Sequence, residues 1–160
     1  MKFFEIILDC VEVLVETPEI AEWHVHVRKI NKTRSLVGYM EFKIPMGNDN
    51  KAEYKLLRKQ GGEYRYMPYS VPPLPFCEFL SKDKYFYPDV ANNSDFPEDL
   101  EASCPLSPGN YSLYGIAINT DNIPMVAVHS GEYAAESIFY DNNGRLTGTY
   151  RIIYAFVNKV

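Results

Sequence analysis

The C-terminal segment constrains the fold most, because it contains two alternating runs separated by a strong turn signal. The runs EYAAESIFYD and RLTGTYRIIYAFV flank Asn142-Asn143-Gly144. Asn-Gly between such runs is the strongest short-range signal for a β-hairpin. The second run places apolar residues on both faces of its strand: Tyr150, Ile152, Tyr154 and Phe156 on one face, and Ile153, Ala155 and Val157 on the other. A strand that is apolar on both faces is expected at the centre of a sheet.

Turn signals recur about every ten residues along most of the chain, which favours an antiparallel sandwich. Asn31-Lys32-Thr33 and Gly61-Gly62 each separate two runs of strand character and predict hairpins. The N-terminal run MKFFEIILDCVEVLVE resembles a signal peptide, but three acidic residues interrupt it. We therefore predict a strand there. The whole chain is expected to form an antiparallel β-sandwich of about eight strands with one short helix.

The segment Pro72–Pro108 breaks this pattern, since it contains seven of the eleven prolines and little alternation. Within it, PFCEFLSKDKYFYP spaces its apolar residues as a short helix does. We expect Pro88 to end that helix and a polar loop, DVANNSDFPEDLEAS, to follow. The segment is the candidate lid or entrance of any internal cavity.

Length and charge exclude several classes of protein. A chain of 160 residues is the size of one domain and can bury a core, so residues 1–160 are expected to form a single domain. The formal net charge is −5, and no cluster of Lys or Arg is present, which disfavours nucleic-acid binding. No apolar run is long enough to span a bilayer. No cofactor is expected.

The three cysteines allow different interpretations. Cys77 and Cys104 lie within the proline-rich segment, with no CxxC motif and no metal-ligand spacing around either. A disulfide between them, which would stabilise the chain by about 3 kcal/mol, is favoured. Two reduced, buried thiols are the alternative. Cys10 is expected to be a small buried apolar residue, and an intermolecular disulfide is its alternative.

Three groups of polar residues resemble parts of chemical sites, but their spacing disfavours that interpretation. His24 and His26 share a strand face and would make half a metal site, but a solvated face is favoured. His129, Ser130 and Glu132 lie close in sequence, but the adjacent His129 and Ser130 would point to opposite faces of a strand and so do not form a dyad, and no GxSxG motif occurs. The acidic patch Asp95, Glu98, Asp99 and Glu101 lacks the spacing of a calcium loop. No catalytic residue and no metal site are predicted, and the protein is expected not to be an enzyme.

Secretion is suggested by three glycosylation sequons. They begin at Asn31, Asn92 and Asn110, at predicted strand ends or in loops where a glycan is tolerated. We expect a secreted, extracellular glycoprotein whose signal peptide is absent from this chain.

Several segments in order resemble a known family: RKINKTRSLVGYMEF, LPFCEFL, SCPLSPGNYSLYGIAI, IPMVAVHSGEY and GRLTGTYRIIYAFV. They resemble the arthropod family of small secreted proteins that includes the chemosensory-B proteins of flies. That family is similar to the lipid-recognition superfamily of the ganglioside activator and the lipopolysaccharide co-receptor of Toll-like signalling. The resemblance implies an immunoglobulin-like β-sandwich whose sheets splay around a hydrophobic cavity, together with secretion and a Cys77–Cys104 bond. The chain departs from that superfamily because Cys10 has no obvious disulfide partner.

The resemblance also changes the interpretation of the apolar residues. Without it, they are expected to fill the core; with it, they are expected to line a ligand pocket. The predicted lining comprises Tyr64, Tyr66, Phe76, Phe79, Leu80, Phe86, Tyr114, Ile116, Ile118, Met125, Phe139, Ile152, Tyr154 and Phe156.

The expected function is non-catalytic binding of a lipid or other apolar small molecule, for transport, presentation, or chemosensory or immune recognition. Tyrosine hydroxyls at the rim are expected to hydrogen-bond a polar head. The alternative is an extracellular protein-interaction module with a filled core that modulates a cell-surface receptor or channel. An internal void favours the first function, and an exposed apolar patch on a solid core favours the second.

Overall fold

The computed structural model describes residues 4–83, 86–118 and 129–158, apart from the side chain of residue 69. Eight strands and three short helices lie in this part of the chain. They are β1 (Phe4–Glu16), β2 (Ala21–Ile30), β3 (Thr33–Phe42), β4 (Lys51–Gln60), β5 (Glu63–Pro75), α1 (Phe76–Lys82), α2 (Tyr87–Asn92), α3 (Leu100–Ser103), β6 (Gly109–Ile116), β7 (Gly131–Tyr140) and β8 (Leu146–Asn158).

The strands form two antiparallel sheets that pack face to face. The larger sheet has the order β1-β8-β7-β4-β5, and the smaller has the order β2-β3-β6. This arrangement confirms the predicted antiparallel β-sandwich. Strand β8 lies between β1 and β7, as its two apolar faces predict. The N-terminal run is a strand, as predicted, and it forms one edge of the larger sheet.

The predicted hairpin turns are present. Asn31 and Lys32 connect β2 to β3, and both have positive φ angles, 48° and 69°. The Gly61-Gly62 pair connects β4 to β5 with φ angles of 61° and 84°. Positive φ at both central residues gives the turn a twist that matches the flanking strands. Between β7 and β8, the side chain of Asp141 accepts hydrogen bonds from the backbone N–H groups of Asn143 and Arg145, both at 2.9 Å.

The proline-rich segment contains more helix than predicted. One helix was expected to end at Pro88, but α1 ends at Lys82 and Pro88 lies in the first turn of α2. Proline is tolerated there because the N–H groups of a first turn have no partner within the helix. The expected polar loop contains α3, whose first turn is capped by Asp99 accepting from the Ala102 N–H at 3.1 Å. We call residues 76–103, which span the three helices, the helical segment.

A disulfide bond joins Cys77 in α1 to Cys104 just after α3. The favoured pairing is therefore present, and it ties together the two ends of the helical segment. Aromatic residues of this segment enter the core of the sandwich. Phe76 and Phe96 pack edge-on against Phe42 of β3, with ring centroids 5.9 Å and 6.2 Å away. The disulfide and these contacts fix the segment against the open side of the two sheets.

Candidate functional site

A cavity of about 180 Å³ lies between the two sheets and beneath the helical segment. Its wall is almost entirely apolar. All the described strands except β5 contribute side chains to it, as do α1 and α2. The rest come from connecting residues: Asp83, Phe86, Phe96 and Ile118. The cavity is partly open, and residues of the helical segment form part of its wall.

The larger sheet makes room for the cavity with small residues. Ala135 and Ser137 of β7 point inward beside Phe139, and they pair in register with Ile152 and Tyr150 of β8. Side chains alternate between the two faces of a strand, so these positions all face the smaller sheet. Because two of them are short, the two sheets do not fill the space between them.

Aromatic rings close the cavity at both ends. At one end, Trp23 of β2 stacks on Tyr150 with ring centroids 4.0 Å apart and planes within 10°. At the other end, Tyr154 lines the cavity and stacks against Tyr133 at 5.8 Å. Phe156 packs perpendicular to Tyr133 at 5.2 Å behind them. The cavity therefore has an aromatic boundary at each end, and both phenylalanine and aliphatic side chains line the wall between.

Few polar groups reach the cavity. Tyr87 of α2 donates its hydroxyl to the Pro97 carbonyl at 2.7 Å, and burial raises the pKa of Tyr87 to about 12. Burial also raises the pKa of Tyr154 well above its ordinary value. Asp83 follows α1 at the border, and its carboxylate accepts from the Phe86 N–H at 2.9 Å. Both tyrosines therefore stay neutral and able to donate at physiological pH.

Nine of the fourteen residues predicted from the sequence line this cavity. They come from the helical segment, from β6 and the residues after it, and from β7 and β8: Phe76, Phe79, Leu80, Phe86, Ile116, Ile118, Phe139, Ile152 and Tyr154. The structure thus brings together most of the predicted set. Met125 lies outside the described residues.

Two of the predicted tyrosines lie on the opposite face of the larger sheet. Tyr64 and Tyr66 share a strand face, as predicted, but that face points away from the smaller sheet. Tyr64 packs on the outer apolar cluster around Leu57, and Tyr66 is 60% exposed. The inward position on β5 is taken by Met67, which packs against the main core. The alternation of residues along the strand predicts that the two tyrosines share a face. It does not predict which face of the strand is buried.

A β-bulge in β6 explains why Tyr114, the third predicted residue outside the cavity, points outward. Tyr114 was expected on the same face as Ile116, but it is 65% exposed while Ile116 is 1% exposed. The pairing of β3 with β6 shifts register between Leu36 and Val37, opposite Gly115, whose φ is 109°. An extra residue in one strand reverses which face the following side chains occupy. Tyr114 therefore points outward, where its hydroxyl donates to Asp95 at 2.6 Å.

Phe156 is the fourth residue placed elsewhere. It points inward as predicted, but it packs within the core, edge-on against Phe4 at 5.5 Å, and does not reach the cavity. Phe4 of β1 occupies the space at this end of the sandwich, so no void remains beside Phe156.

Several lining residues were not predicted. Three of these residues could have been predicted from the sequence, because Leu36, Met40 and Phe42 lie at alternate positions along β3 and share one face. Ala135 and Ser137 had none, because a small side chain next to a void has no distinctive pattern. The others are spread over β1, β2, β4, β6, the predicted helix and the predicted loop: Ile6, Leu8, Trp23, Tyr54, Asp83, Tyr87, Val90, Phe96 and Leu113.

The two histidines of β2 form no predicted metal pair, and His24 has structural partners. The Nε2 atom of His24 lies 2.9 Å from Glu22, and its ring stacks on Tyr39 at 4.6 Å. His26 is exposed on the same strand. No group of three or more His, Cys, Asp or Glu side chains with metal-binding geometry occurs among the described residues.

The residues of the VHSGEY stretch also take part in structural contacts. The Ser130 hydroxyl accepts from the Asn158 N–H at 3.2 Å, and Glu132 forms an ion pair with Lys59 at 2.9 Å. The carbonyl of His129 accepts from the Tyr133 hydroxyl at 2.8 Å.

The acidic patch is structural at two of its four positions. Asp99 caps α3, and Asp95 accepts hydrogen bonds from the Ser112 N–H at 2.9 Å and from the Tyr114 hydroxyl. These bonds lower the pKa of Asp95, the Tyr114 hydroxyl having the larger effect. The hydrogen bond between Tyr114 and Asp95 is also the main cause that raises the pKa of Tyr114.

The sequons and the remaining cysteine lie at the surface. Asn31, Asn92 and Asn110 are all exposed. Cys10 is free and half-buried beside the outer apolar cluster, so it is more accessible than predicted. Burial, with Asp9 and Glu12 nearby, raises the pKa of its thiol, which disfavours the reactive thiolate.

No described helix is long and apolar enough to cross a membrane. Comparison with protein families gives one match: a model described as a protein of unknown function (DUF1091) covers residues 52–135, just over half of the chain. The matched region runs from β4 into β7 and includes the disulfide and the whole helical segment. No curated protein matches the chain.

Proposed function

The chain belongs to the DUF1091 family of proteins of unknown function, and we propose that it is a secreted, non-catalytic protein that binds one apolar small molecule between its two sheets. The observation that carries this proposal is the cavity. Its wall is almost entirely apolar, and its volume is about 180 Å³. Burial of an apolar ligand there contributes roughly 25 cal/mol per Å² of surface removed from water, before ordering costs.

The size of the cavity limits the ligand. Drug-sized ligands occupy sites of about 300–1,000 Å³, and this cavity is smaller. A slender molecule with a single chain fits such a space better than a lipid with several chains. The helical segment forms part of the cavity wall, so we assign it the role of entrance.

Two further observations support the proposal. The ordered segments from RKINKTRSLVGYMEF to GRLTGTYRIIYAFV resemble the chemosensory-B proteins of flies and, more distantly, the lipid-recognition superfamily, which implies an apolar ligand. The Cys77–Cys104 disulfide and the three exposed sequons favour an oxidising, extracellular compartment. Transport, presentation, and chemosensory or immune recognition are all roles for such a protein.

One observation favours a second candidate, a module that modulates a cell-surface receptor or channel. Val13, Leu14 and Val15 are consecutive on the edge strand β1, and each is at least 38% exposed. Adjacent exposed apolar residues are a feature of protein contact surfaces. The cavity makes this the second candidate, because the module was expected to have a filled core.

Native mass spectrometry tests the proposal. The protein is secreted from eukaryotic cells behind a supplied signal sequence, and its mass is compared before and after organic extraction. A reproducible extra mass that extracts as an apolar molecule is the expected result. An apo mass, combined with no binding to alkanes, ketones or fatty acids, would reject the carrier function and favour a protein partner. Enzymatic removal of N-glycans in the same sample reports which sequons are used.

A further inference from the structure

A second, smaller cavity of about 20 Å³ lies next to the larger one. Its lining includes Ala21, Gly148 and Tyr150, none of which lines the larger cavity. Gly148 of β8 pairs in register with Phe139 of β7 and has no side chain to pack beside it. The Tyr150 ring lies close over Gly148, since a Cβ at that position would be 2.8 Å from the Cε2 atom of the ring. The missing side chain explains the gap next to Phe139.

Three aromatic residues separate the two cavities. Trp23, Phe42 and Phe139 line both of them, so each has one cavity on either side. We call these three residues the aromatic partition. Trp23 packs on Phe139 with ring centroids 6.2 Å apart and stacks on Tyr150 at 4.0 Å. Tyr150 lines only the smaller of the two cavities, whereas Trp23 reaches both.

We propose that the aromatic partition sets the maximum length of the ligand's apolar chain, and that the smaller cavity is an unused extension of the binding site. This inference rests on the proposed function. A chain that fills the larger cavity meets the partition and extends no further in that direction. The wall behind the partition is apolar at Ile20, Ala21 and Met46, so a chain that passed the partition would remain in apolar surroundings.

Trp23 is the member of the partition best suited to a test. Phe42 is 4% exposed and contacts three other aromatic rings of the core, so its loss would disturb much of the sandwich. Trp23 is partly buried on β2, an edge strand of the smaller sheet. Its backbone N–H donates to the Glu16 carboxylate at 2.8 Å, and a substitution of the side chain retains this donor. Trp23→Leu therefore shortens the partition while β2 keeps its link to β1.

A series of straight-chain methyl ketones, from hexan-2-one to tetradecan-2-one, measures the length limit. These uncharged probes differ only in chain length. Dissociation constants are measured by equilibrium dialysis, with gas chromatography to quantify bound ketone. Each added methylene group that is buried should tighten binding up to about fourfold, which corresponds to about 0.8 kcal/mol. In the wild-type protein this gain should stop at the homologue whose chain reaches the partition.

Two variants shorten the partition, and a third controls for a general loosening of the core. In Trp23→Leu and Phe139→Leu, the first homologue beyond the wild-type limit should again bind up to about fourfold more tightly than the homologue before it. Phe156→Leu makes the same change in a core residue that lines neither cavity, so it should keep the wild-type limit. A melting curve verifies that each variant is folded, and either folded partition variant decides the test.

The outcomes separate the inference from the proposed function. If the partition variants keep the wild-type limit, or if Phe156→Leu moves the limit as far as Phe139→Leu does, the inference is wrong and the carrier function stands. A gain that continues through the whole series in the wild-type protein also overturns the inference alone. If no ketone of the series binds the wild-type protein, the proposed function itself fails.

Discussion

Ala134 and Ala135 are neighbours on β7, yet they lie on opposite faces of the larger sheet in very different surroundings. Ala134 is completely buried on the outer face, against Leu57 and Ile153. Ala135 faces inward and lines the cavity. The outer alanine sits in a tightly packed site, whereas the inner alanine leaves space. The two faces of one sheet therefore differ in packing, since the outer face is filled and the inner face borders the cavity.

The outer face is closed by long polar side chains. Glu136 is almost fully buried there, and its carboxylate lies 3.5 Å from the guanidinium of Arg151, its partner in register on β8. Lys55, opposite Glu136 on β4, places its ammonium 5.0 Å from the centre of the Tyr66 ring. The aliphatic parts of such side chains cover apolar surface while their charged ends reach water. These side chains therefore cover the apolar surface of the outer face without a second sheet packed on it.

The largest effect is expected from removing the buried charge of the outer face. Glu136→Ala leaves Arg151, whose side chain is 21% exposed, without its partner and should cost about 3 kcal/mol of unfolding free energy. Urea denaturation measures this value. The matched control is Glu132→Ala on the same face, where the Lys59 pair is exposed and should contribute at most about 0.5 kcal/mol. Equal losses in the two variants would show that the outer face does not depend on the buried pair.

The two alanines test the comparison directly. Ala134→Leu overpacks the outer cluster and should cost about 2 kcal/mol of stability, with ligand affinity unchanged. Ala135→Leu fills part of the cavity, so its stability should stay within about 0.5 kcal/mol of wild type. Its ligand affinity should fall about tenfold or more, because the added methyl groups occupy the ligand's space. Urea denaturation measures stability, and equilibrium dialysis with an apolar ligand measures affinity. Similar destabilisation by the two substitutions would mean that no usable space exists beside Ala135.

The comparison also shows how far the sequence could predict the molecule. Turn residues and alternation predicted the hairpins, the sandwich and the internal position of β8, because each depends on a few adjacent residues. Which face of a strand is buried depends on register between strands, which alternation does not contain. Tyr66 and Tyr114 were misplaced for this reason, the second through the bulge at Gly115.

The cavity itself was harder to predict than its aromatic walls. The aromatic residues were recognisable as apolar surface, but the space between them comes from Ala135 and Ser137. A short side chain in a strand looks the same whether a neighbour fills the gap or not. The helical segment was underestimated for a related reason, since prolines that end one helix can start the next, as Pro88 does.

The smallest expected change in stability comes from removing single tyrosine hydroxyls, one on each face of the larger sheet. On the outer face, Tyr140 donates to Glu53, and burial together with this bond raises the pKa of Tyr140 to about 12. Tyr140→Phe should therefore cost about 1 kcal/mol at pH 8. Tyr154→Phe removes a hydroxyl that has no partner among the described residues, so it should change stability very little at that pH.

The pH dependence of the Tyr140 contribution has a defined sign. A phenol has a pKa near 10 in the unfolded chain, whereas folded Tyr140 keeps its proton to about pH 12. The unfolded state therefore releases this proton first as the pH rises, and stability falls between about pH 10 and 12. Tyr140→Phe lacks this loss, so its deficit relative to wild type at pH 8 should shrink by pH 11 in urea denaturation. A deficit that is constant with pH would show that the Tyr140 hydroxyl titrates alike in both states, and the bond to Glu53 would then not hold the outer face.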